Sequence, residues 1–170
     1  REVSGEAWMD HQWGDFATYQ DGGWDWFSVQ LDDRTDVMLY LIRDADGRTL
    51  RVDGSVVGPD GELSVLGEGD FVISANGEWT SPETGTTYPS GWTITVPDRE
   101  LAMTVTPSLP EQELDTRATT GVIYWEGEVV VAATHRGRPV AGYGYAELTG
   151  YAPYEPLDLG SPVAVETPAP

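Results

Sequence analysis

Lysine is absent from this 170-residue chain: all nine basic residues are arginine, against 29 Asp and Glu, for a formal charge of −20. Without lysine there is no lysine Schiff base. So acidic a surface also argues against nucleic acid as a partner, because phosphate binding works through basic side chains that release counterions. A polyanionic surface stays hydrated and resists association; salt adaptation and the acidic bias of a GC-rich genome both account for it. Cysteine is absent too, which excludes disulfides, a thiolate nucleophile and a cysteine zinc site, and is compatible with either side of a membrane. No apolar run approaches the ~18 residues of a membrane helix, and no basic region followed by an apolar stretch marks a leader peptide. The chain opens on Arg1, which reads as a processed or excised piece and leaves an upstream signal or domain open. Helical periodicity is nearly missing as well.

What the sequence does contain is short runs of period two separated by turn residues, the pattern of antiparallel strands. Trp24–Leu31 sets Trp24, Trp26, Ser28 and Gln30 against Asp25, Phe27, Val29 and Leu31. Asp36–Arg43, Thr49–Val57, Leu63–Leu66 and Phe71–Trp79 follow as strand material, with "DADG" and "GPDG" as turns. "DADG" lacks the third acid and distal Glu of an EF-hand loop, so it is read as a turn and not a calcium site. Thr80–Gly91 reads as a long loop. Beyond it, "WTITVP" places Trp92, Ile94 and Val96 on one face, and three more strand-like runs end near Tyr151. The reading is an all-β up-and-down barrel or sandwich of about eight to ten strands. One domain is expected over residues 1–151, and a proline-rich tail over 152–170.

Seven tryptophans and eight tyrosines exceed what an ordinary small core needs. They suit a pocket for a long unsaturated or polycyclic ligand, or else pack the core. Glu126 in "YWEGE" and Glu147 in "YAELTG" interrupt apolar aromatic strands, which predicts an interior or rim position for each, with Arg43 as ion-pair partner. Trp24, Trp26, Arg43, Trp92, Tyr124, Glu126, Tyr145 and Glu147 form the candidate ligand-binding set. His135, in "THRGRP", reads as an exposed hairpin tip. With one more histidine and no cysteine, a zinc site is not expected, and no G-x-S-x-G nucleophile elbow occurs. In "AWMDHQWGDF", period two sends His11, Trp13 and Asp15 to one side and Asp10 to the other.

The motifs "SGEAWMDHQWG", "GWDWFSVQLDD", "VMLYLIRDADG", "WTSPETGTTYPSGWTITVP", "YWEGEVVV" and "GYGYAELTGY" occur in that order. Together they resemble the second lipocalin-like domain of the carotenoid 1,2-hydratase (hydroxyneurosporene synthase) and AttH-like family, from about Val3 to Tyr151. The resemblance implies a lipocalin-like barrel whose partner is a preceding barrel or a second copy, and a small hydrophobic ligand. It implies no cofactor, and it assigns catalytic roles to His11, Trp13 and Tyr40. Ile42 stands two residues past Tyr40, where the hydratase's acid is expected, and this counts against hydration. Family members also include cyclases such as Diels–Alderases, and binding proteins. A non-catalytic carrier and a structural half of a two-barrel protein are therefore the other readings. Secreted, periplasmic and cytoplasmic locations all fit the family.

Overall fold

The computed structural model describes residues 2–4, 9, 11 and 22–153. Trp13 and the expected strand around it lie outside the described residues, as does all but the first part of the expected tail. The first four strands are β1 (Gly23–Leu31), β2 (Asp36–Arg43), β3 (Thr49–Val57) and β4 (Leu63–Leu66). They follow the period-two runs closely, because turn residues punctuate both ends of each. The expected Phe71–Trp79 run divides into β5 (Val72–Ala75) and β6 (Glu78–Thr80), broken at Asn76 and Gly77. The expected loop Thr80–Gly91 instead contains β7 (Thr87–Pro89), which pairs with β6 as a separate two-stranded ribbon. The rest are β8 (Trp92–Val96), β9 (Leu101–Pro107), β10 (Glu113–Asp115), β11 (Ile123–His135) and β12 (Arg138–Leu148).

Antiparallel pairing runs in the order β4-β3-β2-β1-β12-β11-β9-β8-β5, with β10 on the flank of β11. Nine strands laid flat would separate the two edges by about 38 Å. Yet the edge strands β4 and β5 are joined by residues 67–71 alone, a link that spans at most about 21 Å. The sheet must therefore curl, although no ladder joins β4 to β5 among the described residues. This is a lipocalin-like up-and-down architecture with an open seam.

The concave side is filled. Phe27, Trp92 and Trp125 meet edge to face, with ring centroids 5.2 and 5.9 Å apart, and Met103, Ile94, Val105 and Leu148 close the space around them. β12 faces this core with Gly142, Gly144 and Ala146, small residues that leave room for Phe27, Val29 and Val129 on the flanking strands. A Cβ at Gly144 would lie 2.3 Å from the Ser28 carbonyl oxygen of β1. Gly144→Ala is expected to cost about 1–3 kcal/mol through overpacking, read as a lower urea midpoint. An unchanged midpoint would mean that β1 and β12 part there without penalty.

His135 is 9% exposed, not the exposed tip expected from its "THRGRP" context. Arg136 and Gly137, both at positive φ (51° and 73°), make the tight two-residue turn that such twist requires. His135 falls one residue before that turn, on the inward parity of Val131 and Ala133.

Candidate functional site

The convex side of β2, β1, β12 and β11 gathers most of the aromatic and acidic residues singled out in the sequence. Trp24, Trp26, Ser28 and Gln30 share the outward parity of β1. Trp26 lies opposite Tyr40 on β2 and Glu147 on β12, and Glu147 in turn lies opposite Glu126 on β11. Tyr145 lies opposite Ser28. The Trp24 indole Nε1 donates to Glu147 Oε1 at 2.7 Å, and its ring meets Tyr124 edge-on at 6.3 Å. Trp24, Trp26, Tyr40, Tyr124, Glu126 and Glu147 are half-buried, and Tyr145 is more open.

Two neighbours show that this face is not ordinary solvated surface. Ser28 and Ile42 point away from the core yet are 0% and 4% exposed. The Gln30 amide donates to the Ser28 hydroxyl at 2.8 Å, and Ile42 lies opposite Trp24. Burial, and then the negative charges of Glu147 and Glu126, push the Tyr124 phenol above its ordinary pKa. The phenol therefore remains a proton donor in a site with two carboxylates. Flat aromatic walls, a phenol and a fixed carboxylate can hold an unsaturated apolar molecule and stabilise positive charge developing on it.

Two members of the candidate set lie elsewhere. Trp92 is 2% exposed in the core, on the opposite side of the sheet. Arg43 also faces inward, at the end of β2, and pairs with Asp25 instead of Glu126 or Glu147: its Nη2 donates to Asp25 Oδ1 at 3.0 Å and to the Thr149 carbonyl at 2.7 Å. Arg43 and Asp25 share the inward parity, whereas both glutamates have the outward one. Tyr151 completes this cluster, donating its hydroxyl to Asp25 at 3.0 Å while the guanidinium lies 4.3 Å over its ring. Burial holds the Asp25 carboxyl above its ordinary pKa, although the Arg43 charge and the hydrogen bonds from Tyr151 and Arg43 act to lower it. An acid on the apolar register of Trp24–Leu31 was the visible signal for this cluster. Nothing local pointed to Tyr151.

Of the residues assigned catalytic roles, Tyr40 is on the aromatic face and His11 is an exposed residue outside any strand. Trp13 is not among the described residues.

The AttH-like family profile matches residues 1–151. The chain belongs to the AttH-like family. A crystal structure of a protein provisionally designated AttH, from Nitrosomonas europaea, is 34% identical and superposes with a TM-score of 0.69, covering 78% of this chain and 40% of that one. Kievitone hydratase from Nectria haematococca superposes with a TM-score of 0.66 at 20% identity, covering 82% of this chain and 42% of that one. At that identity the second likeness is one of fold. This AttH-like chain thus spans about two fifths of the length of either structure. Among curated proteins, none matches it.

Proposed function

We propose that the convex aromatic–carboxylate face of this AttH-like domain binds a hydrophobic polyene, isoprenoid or polyketide-type ligand. The observation that carries this reading is the convergence of Trp24, Trp26, Tyr40, Tyr124 and Tyr145 with two glutamates on one partly covered face. The concave side, by contrast, is occupied by its own aromatic rings. A second lipocalin-like barrel, in the same protein or a second copy, would supply the opposite wall. The length of the related structures supports that arrangement.

Chemistry on such a face needs no cofactor. Hydration of an alkene begins with protonation, followed by capture of the cation by water, whose surplus proton returns to the group that gave the first one. Here the indoles of Trp24 and Trp26 face the cation, and protonated His11 or a protonated face carboxyl delivers the proton. Cyclisation requires only a folded substrate and one donor such as the Tyr40 hydroxyl. Ile42, apolar where the hydratase comparison expects an acid, favours cyclisation or simple carriage over hydration.

All-trans-retinol, a hydrophobic polyene probe added from ethanol, is expected to quench the tryptophan fluorescence of this chain saturably. Trp26→Ala should weaken that binding about tenfold, the value of roughly 1.4 kcal/mol of aromatic contact. Absence of saturable quenching, or equal affinity in the variant, would refute the binding face. Where hydration with His11 as the acid is the reaction, His11→Ala should abolish turnover while leaving retinol affinity intact; a carrier has no turnover to lose.

A further inference from the structure

A cavity of about 590 Å³ opens at the end of the sheet formed by the β1–β2, β3–β4, β8–β9 and β11–β12 connections. It lies about 20 Å along β1 from Trp24, at the opposite end of the domain from the Arg43 cluster. Three of the nine arginines line it, Arg99, Arg136 and Arg138, together with one of the two histidines, His135.

Among the described residues, no carboxylate forms an ion pair with these arginines. Arg43, Arg51 and Arg117 each have an aspartate partner. Arg99, Arg136 and Arg138 form no ion pair among the described residues, in a chain where acids outnumber bases 29 to nine. Arg99 Nε is buried and lacks a hydrogen-bond partner, a cost that a native fold ordinarily avoids. Asp33, an acid of the same lining, is already engaged: His135 Nδ1 and Asp33 Oδ2 are 2.6 Å apart, and the Thr35 amide donates to Asp33 Oδ1 at 3.0 Å. Burial raises the Asp33 carboxyl, but the hydrogen bonds from His135 and Thr35 outweigh it and hold it below its ordinary pKa. Asp60 and Glu62 stand on the exposed rim, where Asp60 accepts the Glu62 amide at 3.1 Å. Those two rim acids disfavour a ligand with several negative charges. Apolar surface from Val56, Pro59 and Val140 completes the lining.

We propose that this mouth binds a small amphiphilic monocarboxylate, its headgroup held by Arg99, Arg136 and Arg138 and its short apolar stem against Val56, Pro59 and Val140. Arginine suits the headgroup because its planar fork matches a carboxylate in two hydrogen bonds.

Calorimetric titration of the chain with hexanoate, hexan-1-ol and inorganic phosphate tests this. Hexanoate should bind saturably, with hexan-1-ol and phosphate each at least tenfold weaker. The double variant Arg136→Gln/Arg138→Gln should weaken hexanoate about tenfold or more, as expected for lost charge-assisted hydrogen bonds. Both side chains are exposed on the hairpin. Should the double variant fail to fold, Arg138→Gln alone should show a severalfold loss. Hexan-1-ol binding as tightly as hexanoate, phosphate binding in preference to it, or hexanoate affinity unchanged in the variants would each overturn the proposal.

Discussion

Arg43→Ala is expected to destabilise the domain by about 3–5 kcal/mol at neutral pH, the range found when one partner of a buried ion pair is removed. The variant leaves Asp25, whose side chain is 13% exposed, with the Tyr151 hydroxyl as its remaining close polar partner. It also strips the Thr149 carbonyl of its 2.7 Å donor. The pH dependence follows from the direction of the Asp25 shift. The folded chain holds the Asp25 proton more tightly than the unfolded chain, so this contribution to stability is full below the ordinary aspartate value of 3.8 and is lost as pH rises through the raised pKa. Without the Arg43 charge the carboxyl rises further, and the Arg43→Ala deficit should shrink as the pH is lowered. Adding Asp25→Asn should recover much of the neutral-pH loss. Urea unfolding at several pH values reads all three effects. A deficit that does not vary with pH would show that Arg43 acts by packing over Tyr151 and not by charge.

Trp125→Ala should cost a similar amount for a different reason. The ring is fully buried against Trp92, and its Nε1 donates to the Pro110 carbonyl at 2.8 Å. Truncation opens a cavity and orphans that carbonyl, worth about 3–5 kcal/mol. For a chain of this size that is a fall in melting temperature of roughly 6–20 °C, read by calorimetry. Trp26→Ala, on the convex face, should lower it far less. Equal shifts for the two variants would contradict the assignment of one ring to the core and the other to the binding face.

Local pattern was enough to place β2, β3 and β4, since alternation and turn chemistry agree at both ends of each. The β6–β7 ribbon was not legible. Its strands are three residues each, too short for alternation to register, and its loop is tied by the Ser81 hydroxyl accepting the Glu83 and Thr84 amides. The candidate site was legible as a set of residues, not as a side of the sheet. Alternation divides β1 into two faces, but Trp24 and Trp26 mark one and Phe27 the other, so hydrophobicity alone does not say which faces inward. Only the pairing of all strands does. The same long-range information decides that Arg43 meets Asp25, and that His135 turns inward beside Asp33.

The pairing of β1 with β12 has a kinetic consequence. Trp24 and Glu147, bonded across it, are 123 residues apart in sequence, whereas β1–β2, β2–β3 and β11–β12 are neighbours that form locally. Closing so long a loop is entropically costly and slows folding. On a ribosome, β1 would wait on the order of ten seconds for its partner strand to be made. During that wait one edge of β1 stays unpaired, and the strand, with Trp24, Trp26 and Phe27 on its faces, is exposed to mispairing.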